Sequence, residues 1–116
     1  MTSGRWTADP RTRRGPARHE RPAIDEAALV AARAGDRMVR EARERDAGRW
    51  VAYLEPLPDA LRDADLHDLR KVALRARAAF GPKDSVRDVL PSEVTEPFLE
   101  AIDRLLKELA RRDVGG

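Results

Sequence analysis

Nineteen of the chain's forty-eight apolar residues are alanine, and the β-branched residues number only eight Val, two Ile and four Thr. Ala and Leu favour helix, whereas sheets draw on the β-branched and aromatic residues that are scarce here. No stretch alternates apolar and polar residues like a half-buried strand, and there is neither an internal repeat nor a long heptad run. The chain is therefore expected to be all-α: a small helical bundle of three main helices plus one or two short helices, with a disordered basic N-terminal tail. The larger apolar residues number twenty-nine. That is a thin supply, because a domain of this size buries only about two-thirds of its unfolded surface.

Charge divides the chain. Residues 1–22 carry six Arg against Asp9 and Glu20, with Gly4, Gly15, Pro10, Pro16 and Pro22 and little that is apolar beyond Trp6. Such a segment cannot bury enough surface to offset its ordering entropy, so 1–22 reads as a disordered Arg-rich tail. Residues 23–113 form the helical domain, and 114–116 a disordered C-terminus. Arg13-Arg14 is followed by no apolar stretch, so it does not read as an export signal. No apolar run suits a membrane span, and Cys is absent. The expected setting is cytoplasmic. The abundance of Arg over Lys, twenty to three, points first to a GC-rich bacterial genome.

Helix signals set the element boundaries. Asp25 is a candidate N-cap, with Ile24 and Leu29 as a hydrophobic staple around it. From there nothing but Gly35 and Gly48 weakens the helix before Glu55-Pro56. Its apolar stripe is Ala28, Ala32, Gly35, Val39, Ala42, Trp50 and Tyr53, interrupted by Asp46, with Asp36/Arg40 and Glu41/Arg45 as i,i+4 pairs. Pro58–Asp63 can make one short turn. A second helix runs from the cap Asp65 to Phe80 and stops at Gly81-Pro82. Asp84–Leu90 suits a short helix capped by Asp84. The last helix is expected to start at Thr95 with Pro97 in its first turn, and Phe98, Leu99, Ile102, Leu105, Leu106 and Leu109 make the strongest apolar stripe in the chain.

Chemistry-bearing motifs are sparse. His19 and His67 have no second ligand at a metal-binding spacing, so no metal site and no cofactor are expected. Ser85 and Ser92 lack a neighbouring base, and G-x-S-x-G is absent. Gly81-Pro82-Lys83-Asp84-Ser85 lacks the phosphate-loop pattern, and Pro82 removes one of the N–H groups such a loop needs. Most carboxylates are accounted for as helix caps and i,i+4 partners. The chain is not expected to be an enzyme.

Two functional readings remain. In one, the basic segment 70–87 contacts nucleic acid. His67, Lys71 and Arg75 line one helical stripe, Arg70, Leu74 and Arg77 the next, and Lys83 and Arg87 follow. The run from Ala78 to Leu90, with an Ala-rich helix end, Gly81, and Val86-Arg87-Asp88-Val89-Leu90, resembles the helix-turn-helix core of bacterial repressors. That resemblance implies a DNA-binding transcriptional regulator in which Arg70, Lys71, Arg75 and Arg77 hold phosphates while Lys83, Ser85 and Arg87 approach bases. The same cations also suit a solvated helix C-terminus, and acidic residues on both flanks could pair with them.

In the other reading, the chain is a small accessory or regulatory protein acting through helix-mediated protein contacts, by self-association or by docking on a larger partner. Too little apolar volume to close a core alone is its motive. Val39, Ala42, Trp50 and Tyr53 are the candidate interface, since aromatic residues are common anchors, although Trp50 and Tyr53 suit a place in the core against the last helix equally well. This second reading is preferred. Pairing of the 70–87 cations with acids of the same chain would favour it, whereas an open convex basic surface would favour DNA.

Overall fold

The computed structural model describes residues 18–82 and 84–115, with side chains as far as Arg111. Residues 1–17 of the expected tail, Lys83 and Gly116 lie outside the described residues. The rest is all-helical: a 3-10 turn at Arg18–Glu20, then α1 (Pro22–Glu44), α2 (Gly48–Leu54), α3 (Leu57–Asp63), α4 (Leu66–Ala78), a second 3-10 turn at Val86–Asp88, and α5 (Ser92–Gly115).

The long helices α1 and α5 form the spine and run antiparallel. Pro22 and Ile24 of α1 share a groove with Glu108 and Arg111 of α5, while Gly35 meets Phe98. Ala27, Ala28, Ala31, Ala32 and Gly35 give α1 a buried face of small residues, which lets the bulkier Phe98, Ile102, Leu105 and Leu109 of α5 pack closely. Helices α2 and α3 fold back on α1, and α4 closes the far side against α5 and α3. Leu61, Leu69, Leu54 and Met38 are fully buried in the same core.

Several boundaries differ from the sequence expectation. Helix α1 starts at Pro22, not Asp25, because a proline in the first turn gives up an N–H that has no helical partner anyway. Its N-cap, Arg21, makes no side-chain cap. Asp25 is taken by Arg18, whose Nε donates to Asp25 Oδ1 at 2.9 Å. Among the described residues, helical structure is already present at Arg18–Glu20, and α5 runs to Gly115.

The single long helix expected from Asp25 to Leu54 is broken after Glu44. Asp46 adopts a left-handed conformation, φ 56°. The N–H of Ala47 returns to the Ala42 carbonyl and that of Asp46 to the Arg43 carbonyl, which is the Schellman stop with aspartate where glycine usually stands. Between α4 and α5, Asp84 does not cap a helix. It too has a positive φ of 53°, and Ser85 caps the Val86–Asp88 turn by accepting the Arg87 N–H at 3.1 Å. Helix α5 starts at Ser92 rather than Thr95, which places Pro97 inside it rather than in its first turn. The expected α4 cap is present: Asp65 accepts the Asp68 N–H at 2.9 Å.

The two interior glycines should respond oppositely to alanine. A methyl on Gly35 would lie 3.1 Å from Phe98 Cε1 and 3.3 Å from Pro58 Cγ. Phe98 is fully buried and Pro58 is a rigid ring, so neither can give way. Overpacking of about 1–3 kcal/mol then outweighs the gain of about 1 kcal/mol in helix propensity. Gly35→Ala is expected to destabilise by up to about 2 kcal/mol. Gly48 has nothing within reach, and Gly48→Ala should stabilise by about 0.5 kcal/mol by restricting the unfolded chain. Paired urea titrations check both signs.

Candidate functional site

The residues expected to meet a protein partner are largely inside the fold. Ala42 is fully buried, Trp50 is 6% and Val39 7% exposed. Trp50 and Tyr53 form an edge-on pair at 5.8 Å. Tyr53 is half-buried, and its hydroxyl donates to the Arg75 carbonyl at 2.7 Å. Tyr53 fastens α2 to α4, and Trp50 beside it is buried, so the pair does not present a free face.

The basic segment is partly spent within the chain. Arg77 Nε lies 2.9 Å from Asp103 Oδ1 on α5. Arg87 donates from Nε and Nη2 to the two oxygens of Glu96 at 2.8 and 2.7 Å, and its guanidinium lies 5.5 Å from the Phe80 ring centre. Arg75 sits 5.5 Å from the Tyr53 ring centre. Ser85 is engaged as a cap. Arg70 and Lys71 are exposed on α4. Lys83 is outside the described residues. The expected reading helix at Asp84–Leu90 is a single 3-10 turn, too short to enter a groove as a recognition helix.

The Arg87–Glu96 fork carries a pH signature. Hydrogen bonds from Arg87, joined by one from Thr95, hold the Glu96 carboxyl below its ordinary value, and the Arg87 guanidinium is raised in turn. A lowered carboxylate stabilises the native state above the ordinary carboxylate pKa, roughly 4.3, and loses that contribution as pH falls through the lowered value. The stability difference between the wild type and Glu96→Gln should be constant above about pH 5 and shrink toward zero in acid. Thermal melts across that range test it. The pair is solvent-exposed, so raised salt should also reduce the difference.

The outward face of α4 has a further feature. Leu74 is 48% exposed, and with Val89 it is one of the two exposed large apolar side chains among the described residues. On the helix it is surrounded by Arg70, Lys71, Arg77 and Ala78 at helical spacings of three and four, with Arg75 beside it. The sequence places Leu74 in a polar stripe but cannot say that this stripe faces water along the whole helix. A second exposed basic row, Arg33, Arg37 and Arg40 on α1, was hidden by the expected Asp36/Arg40 pair. Asp36 instead binds Arg62 of α3, a contact that no local spacing signals.

Two surface grooves are mixed in charge. One of about 450 Å³ is lined by Asp36, Arg40, Arg43, Glu55 and Asp59 among others. Its acids are already engaged: Asp36 and Asp59 by Arg62, and Glu55 by Arg43. The other, about 340 Å³, lies between the start of α1 and the end of α5. No group of three or more His, Cys, Asp or Glu side chains among the described residues could hold a metal ion. No helix among them is long and apolar enough to cross a membrane. Comparison with protein-family models, curated proteins and solved structures finds no match for this chain.

Proposed function

We propose that the chain is a small non-enzymatic accessory protein that works by docking the outer face of α4 onto a partner protein. The observation that carries this reading is Leu74, half-exposed in the middle of a helix whose neighbouring surface is cationic. Isolated exposed leucines are ordinary. The surroundings distinguish this one. The aliphatic stems of Arg and Lys extend the apolar area around it while their charged heads reach outward. An apolar centre with a charged rim rich in Arg matches the core-and-rim layout of an interface.

The DNA reading draws less support. Arg77 and Arg87 are matched to carboxylates of the same chain, and the segment lacks a reading helix.

The test is affinity capture from an extract of the native host, with nuclease, using the wild type and Leu74→Asp. Leu74 is solvent-facing, so the variant should melt like the wild type. A protein that survives nuclease and is lost with Leu74→Asp supports the reading. Retention that nuclease abolishes, or that Leu74→Asp leaves unchanged, overturns it.

A further inference from the structure

The chemistry of the α4 face narrows the partner. Between residues 70 and 78 there are four cations and no acid. All four, Arg70, Lys71, Arg75 and Arg77, belong to exposed residues, and they surround one apolar side chain. We infer that the partner presents an acidic amphipathic segment, with an apolar residue seated on Leu74 and carboxylates meeting these four cations. This rests on the docking reading above and adds the chemistry of what docks.

Three observations carry it. First, the face already binds a carboxylate in a defined way. Arg77 Nε meets Asp103 Oδ1 at 2.9 Å, and both side chains are about half-exposed, 44% and 52%. A surface pair of this kind contributes little to stability, so a partner carboxylate can share or replace it at small cost.

Second, the centre of the face is apolar. A phosphodiester backbone has no apolar group to cover Leu74. A peptide that alternates acidic and apolar side chains at helical spacing covers both the centre and the ring.

Third, the charge on α4 is polarised. Asp63, Asp65 and Asp68 are exposed at its N-terminal end. They repel an acidic segment there and confine it to the C-terminal two-thirds of the helix, around Leu74. Specificity then comes from the repulsive end as well as the attractive one.

The experiment is fluorescence anisotropy with the full chain and four probes. These are a short acidic amphipathic peptide with Leu and Phe on one face and Glu on the other, the same composition scrambled, the same peptide with Gln for Glu, and a short DNA duplex. The acidic amphipathic peptide is expected to bind at least tenfold more tightly than the scrambled and Gln versions. Leu74→Ser should weaken it at least tenfold with no change in melting temperature; Lys71→Glu with Arg75→Glu should weaken it as much, while melting slightly lower because the Arg75–Tyr53 contact is lost. Binding should also fall severalfold between low and physiological salt.

Equal affinity for the scrambled peptide, or no response to Leu74→Ser, would overturn the inference and leave only general attraction to polyanions. Tighter binding of the duplex, indifferent to Leu74, would overturn it in favour of nucleic acid. The two proposals fail separately. If the captured host partner is lost with Leu74→Asp but keeps its affinity through Lys71→Glu/Arg75→Glu and raised salt, docking on α4 stands and the acidic partner falls. If Leu74→Asp loses nothing, docking itself falls.

Discussion

Phe98→Ala is expected to lower stability by about 3–5 kcal/mol, a large share of the roughly 5–15 kcal/mol that holds a domain of this size together. Phe98 is the largest fully buried side chain among the described residues. Its ring lies against Gly35 and stands 6.3 Å from the ring of Phe80. It thus fills the contact between α1 and α5 at Gly35, beside Phe80 just past the end of α4. Alanine leaves a cavity that the flanking elements cannot close, because Gly35 has no side chain to move into it. Phe98→Leu keeps most of the volume and should cost about 1.5 kcal/mol or less. A double-mutant cycle gives the sharper test. If the Gly35–Phe98 contact is what forbids a methyl at residue 35, Gly35→Ala should cost clearly less in the Phe98→Leu background, with a coupling of at least about 0.5 kcal/mol. Additive effects in urea titrations would show that the close approach of α1 and α5 is not limited by this ring.

The same region shows what the sequence could and could not convey. The 3-4-3-4 spacing of Leu66, Leu69, Ala73, Ala76 and Phe80 and the cap at Asp65 place α4 to within two residues, because both signals are local. The stripe of α5 was equally legible, since six large apolar residues share one helical face. The break after Glu44 was not. A helix stop usually announces itself with glycine or proline, and here Asp46 takes the left-handed position instead. Aspartate tolerates that conformation better than most residues, yet its usual meaning in a sequence is a cap or a solvated charge. The interruption of the apolar stripe at Asp46 was the one available hint. Asp84 repeats the case, with Ser85 as the cap one residue later.

The candidate site was legible in composition and not in pairing. The cations of 70–87 are visible in one dimension, but which of them are neutralised depends on α5 lying beside α4. Asp103 is twenty-six residues from Arg77, and Glu96 nine from Arg87. The i,i+4 rule assigned Asp36 to Arg40, and the fold brings it Arg62 instead. The aromatics of α2 were given equal standing as core or interface by their sequence. Their place beside α4 follows only once the helix has turned at Asp46, which carries Trp50 inward and Tyr53 toward the Arg75 carbonyl.

Arg18 was read from sequence as one more charge in a solvated tail, and its removal is the second large effect to be expected. Its Nη1 donates to the carbonyls of Leu61, Arg62 and Ala64 at 2.8, 2.9 and 2.8 Å. These belong to the end of α3 and the linker behind it, where helical carbonyls lack partners of their own. Its other nitrogens face Asp25, with Nη2 at 2.8 Å from Oδ1. One guanidinium thus satisfies the C-terminus of α3, where the helix dipole favours a cation, and ties it to the first turn of α1. The side chain is only 11% exposed and Asp25 37%, so solvent screens these bonds less than it does the surface pairs. Hydrogen bonds to charged groups contribute about 1.5–3 kcal/mol each, but those made by one group are not additive. Arg18→Ala is expected to cost about 2–4 kcal/mol in total. Arg18→Lys should recover less than half of that, because an ammonium cannot reproduce the fork that spans three carbonyls and a carboxylate. Asp25→Asn separates the two halves of the clasp. It removes the ion pair but leaves the carbonyl contacts, and should cost about 1–2 kcal/mol, less than Arg18→Ala. Hydrogen exchange locates the effect. In Arg18→Ala the amides of α3 should lose protection before those of α5, because α3 is the element whose end is left open. An Arg18→Lys variant as stable as the wild type would show that charge alone holds residue 18 against α3, and uniform loss across all helices would show that its contacts do not act on the end of α3 in particular.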